Sequence, residues 1–136
     1  MSHYPSVIGT LAIMLLFSCD EPNRFAQGEV LYVNYCSNCH MTDGAGLANL
    51  IPPVNDSEYL NSKKEKIACA IRNGVTGEIV VSGRTFNNEM PAISARELND
   101  VEITNIINYM LSEWGNSTDY LSNKAVQDQL NICNGQ

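Results

Sequence analysis

Helical periodicity dominates the pattern of apolar and polar positions along this chain. The strongest repeat lies between Asn99 and Gly115, where apolar residues recur at helical spacing. Its inward face is formed by Ile103, Ile106, Ile107, Met110 and Trp114. Asn99 and Glu102 have the spacing of a capping box, so this helix is expected to begin at Asn99 and to end at Gly115.

Three further helices are predicted from weaker patterns. The first covers residues 23–35 and has an amphipathic stripe made of Phe25, Gly28, Tyr32 and Tyr35. A second capping-box spacing starts at Ser62, and Gly74 suits the left-handed position that ends a helix, so a helix is predicted over 62–74. The last helix is expected over 122–131. Its inward positions are Val126 and Leu130.

Two long irregular segments separate these helices. Residues 43–55 contain Gly44, Gly46, Pro52 and Pro53, which interrupt any regular element. Residues 75–93 are rich in turn formers, with at most a short extended piece at 78–81. The elements together predict an all-α fold. Loops of this length without their own secondary structure usually serve a site or hold a cofactor, so we expect one at the centre of the fold.

The N-terminus is expected to be an export signal. Residues 1–18 contain no Asp, Glu, Lys or Arg, and the apolar run 7–17 suits a signal peptide but is too short to span a bilayer. The sequence Leu-Phe-Ser-Cys that ends at Cys19 resembles the lipobox of bacterial lipoproteins. This resemblance implies that 1–18 are removed, that Cys19 carries lipid and that 19–24 form a short tether. An ordinary signal peptide cut nearby and a buried structural helix are the alternatives.

Composition excludes several classes of protein. The 136 residues carry a formal charge of −7, which argues against a nucleic-acid partner. Their 44% apolar content argues against disorder. Once the signal is removed, a single domain is expected over 25–136. Export would place it on the periplasmic side of a bacterial membrane, where cysteines are oxidised, acylated or bound to a cofactor rather than left free.

Cys36, Cys39 and His40 form a Cys-x-x-Cys-His motif, which is the attachment signature of c-type haem. At this spacing two thiols can bind the two vinyl groups on one porphyrin edge, and the next residue places an imidazole beneath the iron. A zinc site needs four ligands and would have to recruit Cys69 or Cys133. A dithiol of the thioredoxin type would need a βαβ pattern, which the sequence lacks. The motif therefore favours covalent haem c.

With this motif, the sequence resembles the class I cytochrome c family over residues 25–114. The resemblance implies a cytochrome c fold, with about four helices around one covalent haem. It implies His40 and Met90, which stands in a Met-Pro pair, as the two axial iron ligands. Two other methionines, Met41 and Met110, are expected to be core or surface residues.

Three loop residues, Pro52, Phe86 and Arg84, are candidates for the surroundings of the haem. The resemblance implies that the carbonyl of Pro52 accepts a hydrogen bond from the second ring nitrogen of His40. If Pro52 is not the acceptor, the carbonyl of Pro53 is the next candidate. The alternative is that the two prolines only interrupt regular structure. Phe86 is expected to pack on the haem edge. Arg84 is expected either to neutralise a propionate or to be a solvated loop residue.

The resemblance further implies a contact between the N-terminal helix and the long C-terminal one. Gly28 and Tyr32 match the family positions at this crossing, and Ile106 and Tyr109 match their partners. Glycine permits a close approach of two backbones. The alternative is that all four are ordinary core positions.

Cys69 and Cys133 are the cysteines left without a role. In an exported protein two such thiols usually pair, so a disulfide is predicted. It would fasten a C-terminal extension, which begins near residue 116 and which the minimal family fold lacks, onto the helix at 62–74.

The function implied by the resemblance is single-electron transfer between redox protein partners, without chemistry on a substrate. The leading hypothesis is a carrier held to the membrane by lipid on Cys19. The second is a haem c electron-transfer subunit of an oxidase or reductase complex. The third is a haem enzyme or gas-binding protein in which Met90 is labile.

Overall fold

The computed structural model describes residues 25–55, 58–114 and 119–134. The expected signal peptide, lipobox and tether lie outside these residues. The described chain is largely helical, as expected, although it has more and shorter helices than the sequence pattern predicts. Its elements in chain order are α1 (Ala26–Tyr35), α2 (Ser37–His40), α3 (Glu58–Ser62), a 3₁₀ turn (Lys64–Lys66), α4 (Ile67–Asn73), β1 (Ile79–Val81), β2 (Arg84–Phe86), α5 (Asp100–Glu113) and α6 (Asn123–Asn134). In the part of the chain described, no helix is both long and apolar enough to cross a bilayer.

The helix α1 crosses α5 at Gly28, which is buried. A Cβ atom added to Gly28 would collide with the carbonyl oxygen of Asn105 and lie 2.7 Å from the Cβ of Tyr109. The two backbones therefore approach more closely than any side chain would allow. The crossing matches the expected helix contact, although Asn105 rather than Ile106 lies closest to the glycine.

The start of α5 is the capping box that the sequence predicts. The Asn99 side chain accepts hydrogen bonds from the backbone N–H groups of Val101 and Glu102, and the Glu102 carboxylate accepts from the Asn99 N–H at 2.8 Å. The inward face of the helix is also confirmed, because Ile103, Ile106 and Ile107 are fully buried. This is the longest helix, and it forms the centre of the core.

The predicted helix over 62–74 is wrong at its start. Ser62 ends α3, the 3₁₀ turn follows, and α4 begins only at Ile67. The α4 N-terminus has no local side-chain cap. Instead, the buried Gln129 side chain accepts from the Ala68 N–H at 3.4 Å and donates to the Lys64 carbonyl at 3.3 Å. A residue of α6 thus replaces the local cap. The predicted end at Gly74 is confirmed, with φ at 74°.

The segment 75–93 is more ordered than a loop. β1 and β2 form an antiparallel hairpin in which Ile79 pairs with Phe86. Ser82 and Gly83 connect the strands with φ values of 49° and 72°. Two positive φ values in a two-residue connection define the tight turn whose twist matches that of paired strands. The sequence predicts the extended piece at 78–81 but not its partner strand.

The C-terminal extension packs α6 against α4 and α5. Val126 and Leu130 are buried, as the pattern predicts. In the structure Cys69 and Cys133 are joined by a disulfide that closes a loop of 64 residues. In the chain-entropy account a loop of this length stabilises the fold by about 4 kcal/mol. The pairing agrees with the sequence prediction, and it fastens the extension to α4 rather than to α3.

The helix crossing provides a test of the fold. We expect Gly28→Ala to lower the free energy of unfolding by about 1–3 kcal/mol, because the added methyl group overpacks the contact with α5. Urea unfolding of the haem-loaded protein, followed by circular dichroism, measures this loss. Asn34→Ala, at an exposed position of the same helix, should change stability by less than about 0.5 kcal/mol. Equal effects of the two substitutions would contradict the close crossing.

Candidate functional site

A mainly apolar cleft opens at the centre of the fold. Its empty volume, including the open solvent at its mouth, is about 990 Å³. Its apolar wall combines the loop 50–54 with residues of the helices α4 and α5, among them Ile67, Ile71, Ile106 and Met110. The predicted site residues that line it are Cys36, Cys39, His40, Pro52 and Met90. The cleft therefore brings the attachment motif and the expected methionine ligand to one site.

The attachment motif lies at the break between α1 and α2. Cys36 donates its N–H to the Tyr32 carbonyl at 2.8 Å, and its own carbonyl accepts from the His40 N–H at 2.9 Å. The three motif side chains are thus fixed within one continuous hydrogen-bonded stretch. Cys36 and Cys39 are not in a disulfide. Burial, and next to it the neighbouring Cys39, raise the pKa of the Cys36 thiol to about 12, so this group is a neutral thiol before attachment.

His40 is oriented by a carbonyl group on the following loop. Its Nδ1 atom lies 3.0 Å from the carbonyl oxygen of Pro52. A carbonyl oxygen only accepts hydrogen bonds, so Nδ1 carries the proton and Nε2 keeps its lone pair. Burial lowers the pKa of His40, and the bond to Pro52 opposes that shift only in part. The imidazole is therefore neutral and has one nitrogen free to bind a metal ion.

Gly46 allows the loop to bring Pro52 up to the imidazole. Its φ is 70°, and its N–H donates to the His40 carbonyl at 3.0 Å. A Cβ at this position would collide with the carbonyl oxygen of Ile51 and lie 2.7 Å from that of Pro52. Both the positive φ and the close backbone contact require glycine here. The sequence marks Gly46 only as a loop former and does not indicate this contact.

The Tyr32 side chain supports the motif from the core. Its hydroxyl donates to the Met41 carbonyl at 2.8 Å, and its ring contacts Trp114 at a centroid distance of 5.1 Å. Burial, together with the nearby Cys36 thiol, raises the pKa of Tyr32 well above its ordinary value. The hydroxyl therefore stays protonated and holds the turn after His40. Met41 adopts this turn with φ at 62°.

Met90 also lines the cleft and is held there by a backbone bridge. It exchanges two hydrogen bonds with Val75, of 2.9 and 3.0 Å. A Cβ on Gly74 would collide with the Met90 carbonyl oxygen and lie 2.9 Å from the backbone nitrogen of Ala92. Residues 90–93, here named the methionine segment, therefore lie directly against the end of α4. The sequence indicates Met90 as a ligand but does not indicate its backbone contacts with Gly74 and Val75.

Phe86 and Arg84 both lie on the strand β2. Neither is among the residues that line the cleft. Phe86 is buried, and its pairing with Ile79, which lines the cleft, puts both side chains on the same face of the hairpin, so the contact of Phe86 with the haem edge stays a prediction. The Arg84 guanidinium lies 5.4 Å from the centre of the Phe86 ring and donates to the Ala48 carbonyl at 3.4 Å. Its partners are thus a ring and a backbone carbonyl, and neither alternative for Arg84, a propionate partner or a solvated loop residue, is tested by these contacts.

Comparison with known families identifies this arrangement. Residues 23–110 match the family described as cytochrome c oxidase, cbb3-type, subunit III. The chain belongs to this family of c-type cytochromes. It is also similar to a cytochrome c-552 of Thermus thermophilus, with 28% identity over 96 residues, which are 68% of this chain and 71% of that protein. A second cytochrome c-552, from one particular strain of the same species, has the same identity, and the match covers 63% of its length.

Membership of the c-type cytochromes means that the chain carries covalent haem c and that it transfers electrons. The residues present fit this group. The cleft offers two unpaired thiols, a neutral imidazole and a thioether, surrounded by apolar side chains. Zinc fits less well, because Cys69 and Cys133 are bonded to each other and cannot complete the ligand set.

The loop after His40 provides the second test. In Gly46→Ala we expect the hydrogen bond between His40 and Pro52 to weaken, because the new methyl group occupies the space of the Pro52 carbonyl. Solvent exchange of the His40 Nδ1 proton, followed by NMR of the reduced cytochrome, should become faster. Gly77→Ala is the matched control, since Gly77 also has a positive φ of 83° but has no atom within 4 Å of the added Cβ. Slow exchange in both variants would contradict the role of Gly46.

Proposed function

We propose that this c-type cytochrome is a monohaem carrier of single electrons in a bacterial respiratory chain, with His40 and Met90 as axial ligands of the iron. It is exported and held to the periplasmic side of the membrane by lipid on Cys19. The observation that carries the proposal is that both ligand side chains line one apolar cleft together with Cys36 and Cys39. These are the donors that the family's cofactor requires, and they meet at one site.

Each residue has a distinct part in this proposal. Haem iron bound in the cleft supplies a valence change of one electron. The neutral thioether of Met90 favours the ferrous state and raises the reduction potential. The Pro52 carbonyl fixes the ring of His40 and increases its basicity as a ligand. With His40 and Met90 both bound, no coordination position is left for oxygen or peroxide, which separates a carrier from a haem enzyme.

A second candidate function is suggested by the family description. That description names a subunit of a cbb3-type oxidase. In this alternative the same site passes electrons within a stable complex rather than between diffusing partners. The site chemistry is identical in the two cases, so only the association with a catalytic subunit distinguishes them.

The ligand assignment predicts the behaviour of Met90→Ala. We expect the variant to bind carbon monoxide readily in the ferrous state, whereas the unmodified protein should not, because the substitution opens one coordination position. The reduction potential should fall, since the thioether stabilises the ferrous iron. Visible spectra of both oxidation states, with and without carbon monoxide, measure the first effect, and redox titration measures the second.

Met110→Leu is the matched control for this experiment. Met110 also lines the cleft but lies on the core face of α5, and leucine keeps its volume without the sulfur atom. Its spectrum should not change. A changed spectrum in Met110→Leu, combined with an unchanged one in Met90→Ala, would move the ligand assignment to Met110. Carbon monoxide binding by the unmodified protein would favour the gas-binding alternative.

Membrane attachment is tested by Cys19→Ser. We expect the variant to be recovered in the periplasmic fraction with its haem attached, whereas the unmodified protein should sediment with the membranes. Purification of the membrane form in mild detergent then separates the two candidate functions. A carrier should elute alone, and a complex subunit should elute with a catalytic partner. Equal membrane retention of both forms would contradict the lipid anchor.

A further inference from the structure

Arg72 connects three parts of the fold at the end of α4. Its side chain is only 9% exposed. One guanidinium nitrogen donates to the carbonyl of Ile93 at 3.0 Å, and the other donates to the carboxylate of Asp100 at 3.2 Å. Ile93 follows Met90 by three positions, and Asp100 is the first residue of α5. The guanidinium therefore joins α4, the methionine segment and α5.

The methionine segment has few other attachments on this side. Met90 is bridged to Val75, and the Ile93 N–H donates to the Ile71 carbonyl at 3.1 Å. Pro91, between them, has no N–H to donate. The segment thus lies along the last turn of α4, and Arg72 is the side chain that ties it to α5 as well.

We propose that Arg72 is a positioning residue for Met90, holding the methionine segment against the cleft so that its sulfur stays on the iron. The inference rests on the proposed ligation by Met90. Arg72 does not line the cleft, so it acts through the backbone at Ile93 and not by contact with the haem.

The chemistry of the contact favours arginine over other cations. A guanidinium is planar and presents separate N–H groups to two acceptors at once, whereas an ammonium is a single point charge. Both hydrogen bonds are charge-assisted, and one acceptor is the Asp100 carboxylate, so they are stronger than bonds between neutral groups. Because the arginine is buried, water does not replace a lost bond at the guanidinium itself, whereas the Asp100 carboxylate is 43% exposed and stays hydrated.

The experiment measures how readily Met90 leaves the iron. In Arg72→Met the population with an open coordination position should rise, so the apparent affinity of the ferrous protein for carbon monoxide should increase about tenfold or more. Amide hydrogen exchange at Met90 and Ile93 should become faster, which reports the same loosening without reference to the haem. Arg72→Lys should give a smaller increase, because lysine keeps the positive charge but lacks the planar guanidinium that donates to two acceptors at once.

Two controls separate positioning from a general loss of stability. Arg96→Met makes the same change at an exposed arginine and should leave carbon monoxide binding unaltered. Asn108→Ala removes two hydrogen bonds to the backbone of Leu121, of 2.8 and 2.9 Å, and so weakens the extension away from the methionine segment. It should lower the free energy of unfolding without raising the carbon monoxide affinity.

The outcomes separate this inference from the ligand assignment. If Arg72→Met and Asn108→Ala raise the carbon monoxide affinity equally at equal loss of stability, Arg72 is only structural and the inference is wrong. If Met90→Ala leaves the spectrum unchanged, the ligand assignment itself fails. Should Arg72→Met not fold, Asp100→Asn decides, because it removes the charged acceptor only. It should shift the affinity in the same direction, and an unchanged value would overturn the proposal.

Discussion

The close crossing of α1 over α5 is the constraint on which the rest of the structure depends. Gly28 lets the two backbones meet at Asn105 and Tyr109, and α1 then leads without a linker into Cys36. The wall of the cleft includes Met110, which follows Tyr109 directly on α5. Because α1 leads into the attachment motif and α5 forms part of the wall, the crossing sets the distance between the motif and that wall. The structure achieves this by omitting a side chain, and close packing together with the hydrogen bond from Asn105 to Gln27 holds the two helices in place.

The two sides of the cleft are built in different ways. On the attachment side, residues 36–40 and Pro52 lie within one short stretch of chain, and backbone hydrogen bonds between near neighbours hold them. On the methionine side, Met90 is joined to Val75 and, through Ile93, to the far end of α4. The two loops differ little in length, with 12 positions from His40 to Pro52 and 15 from Val75 to Met90, so the entropic costs of closing them are similar. Under the proposed ligation the thioether of Met90 would be the weaker of the two ligands, so the rigidity of its segment would matter more for the iron.

How well the sequence predicts an interaction depends on how far apart along the chain the interacting groups are. The capping box at Asn99 and the attachment motif were predictable because each is complete within a few consecutive residues. The start of α4 was not, because its cap is Gln129, which is 61 positions away from Ala68. The second strand was missed because a hairpin signal with Ser82 at the turn is weaker than one with Asn or Asp. The position of Phe86 follows from the register of that strand and therefore could not be obtained either.

The C-terminal extension contributes to the site although none of the described residues of α6 lines the cleft. α4 has seven residues, well below the length of about 12–15 at which an isolated helix becomes marginally stable in water. Its stability must therefore come from packing and from tertiary bonds. α6 supplies the Gln129 cap at one end of α4 and the disulfide at Cys69 in its middle, and α5 supplies the partner of Arg72 in the last turn. A helix fastened along its whole length is a rigid support for the methionine segment. The added helix thus supports the methionine segment through Gln129 and the disulfide on α4, and not through the contact between Asn108 of α5 and Leu121.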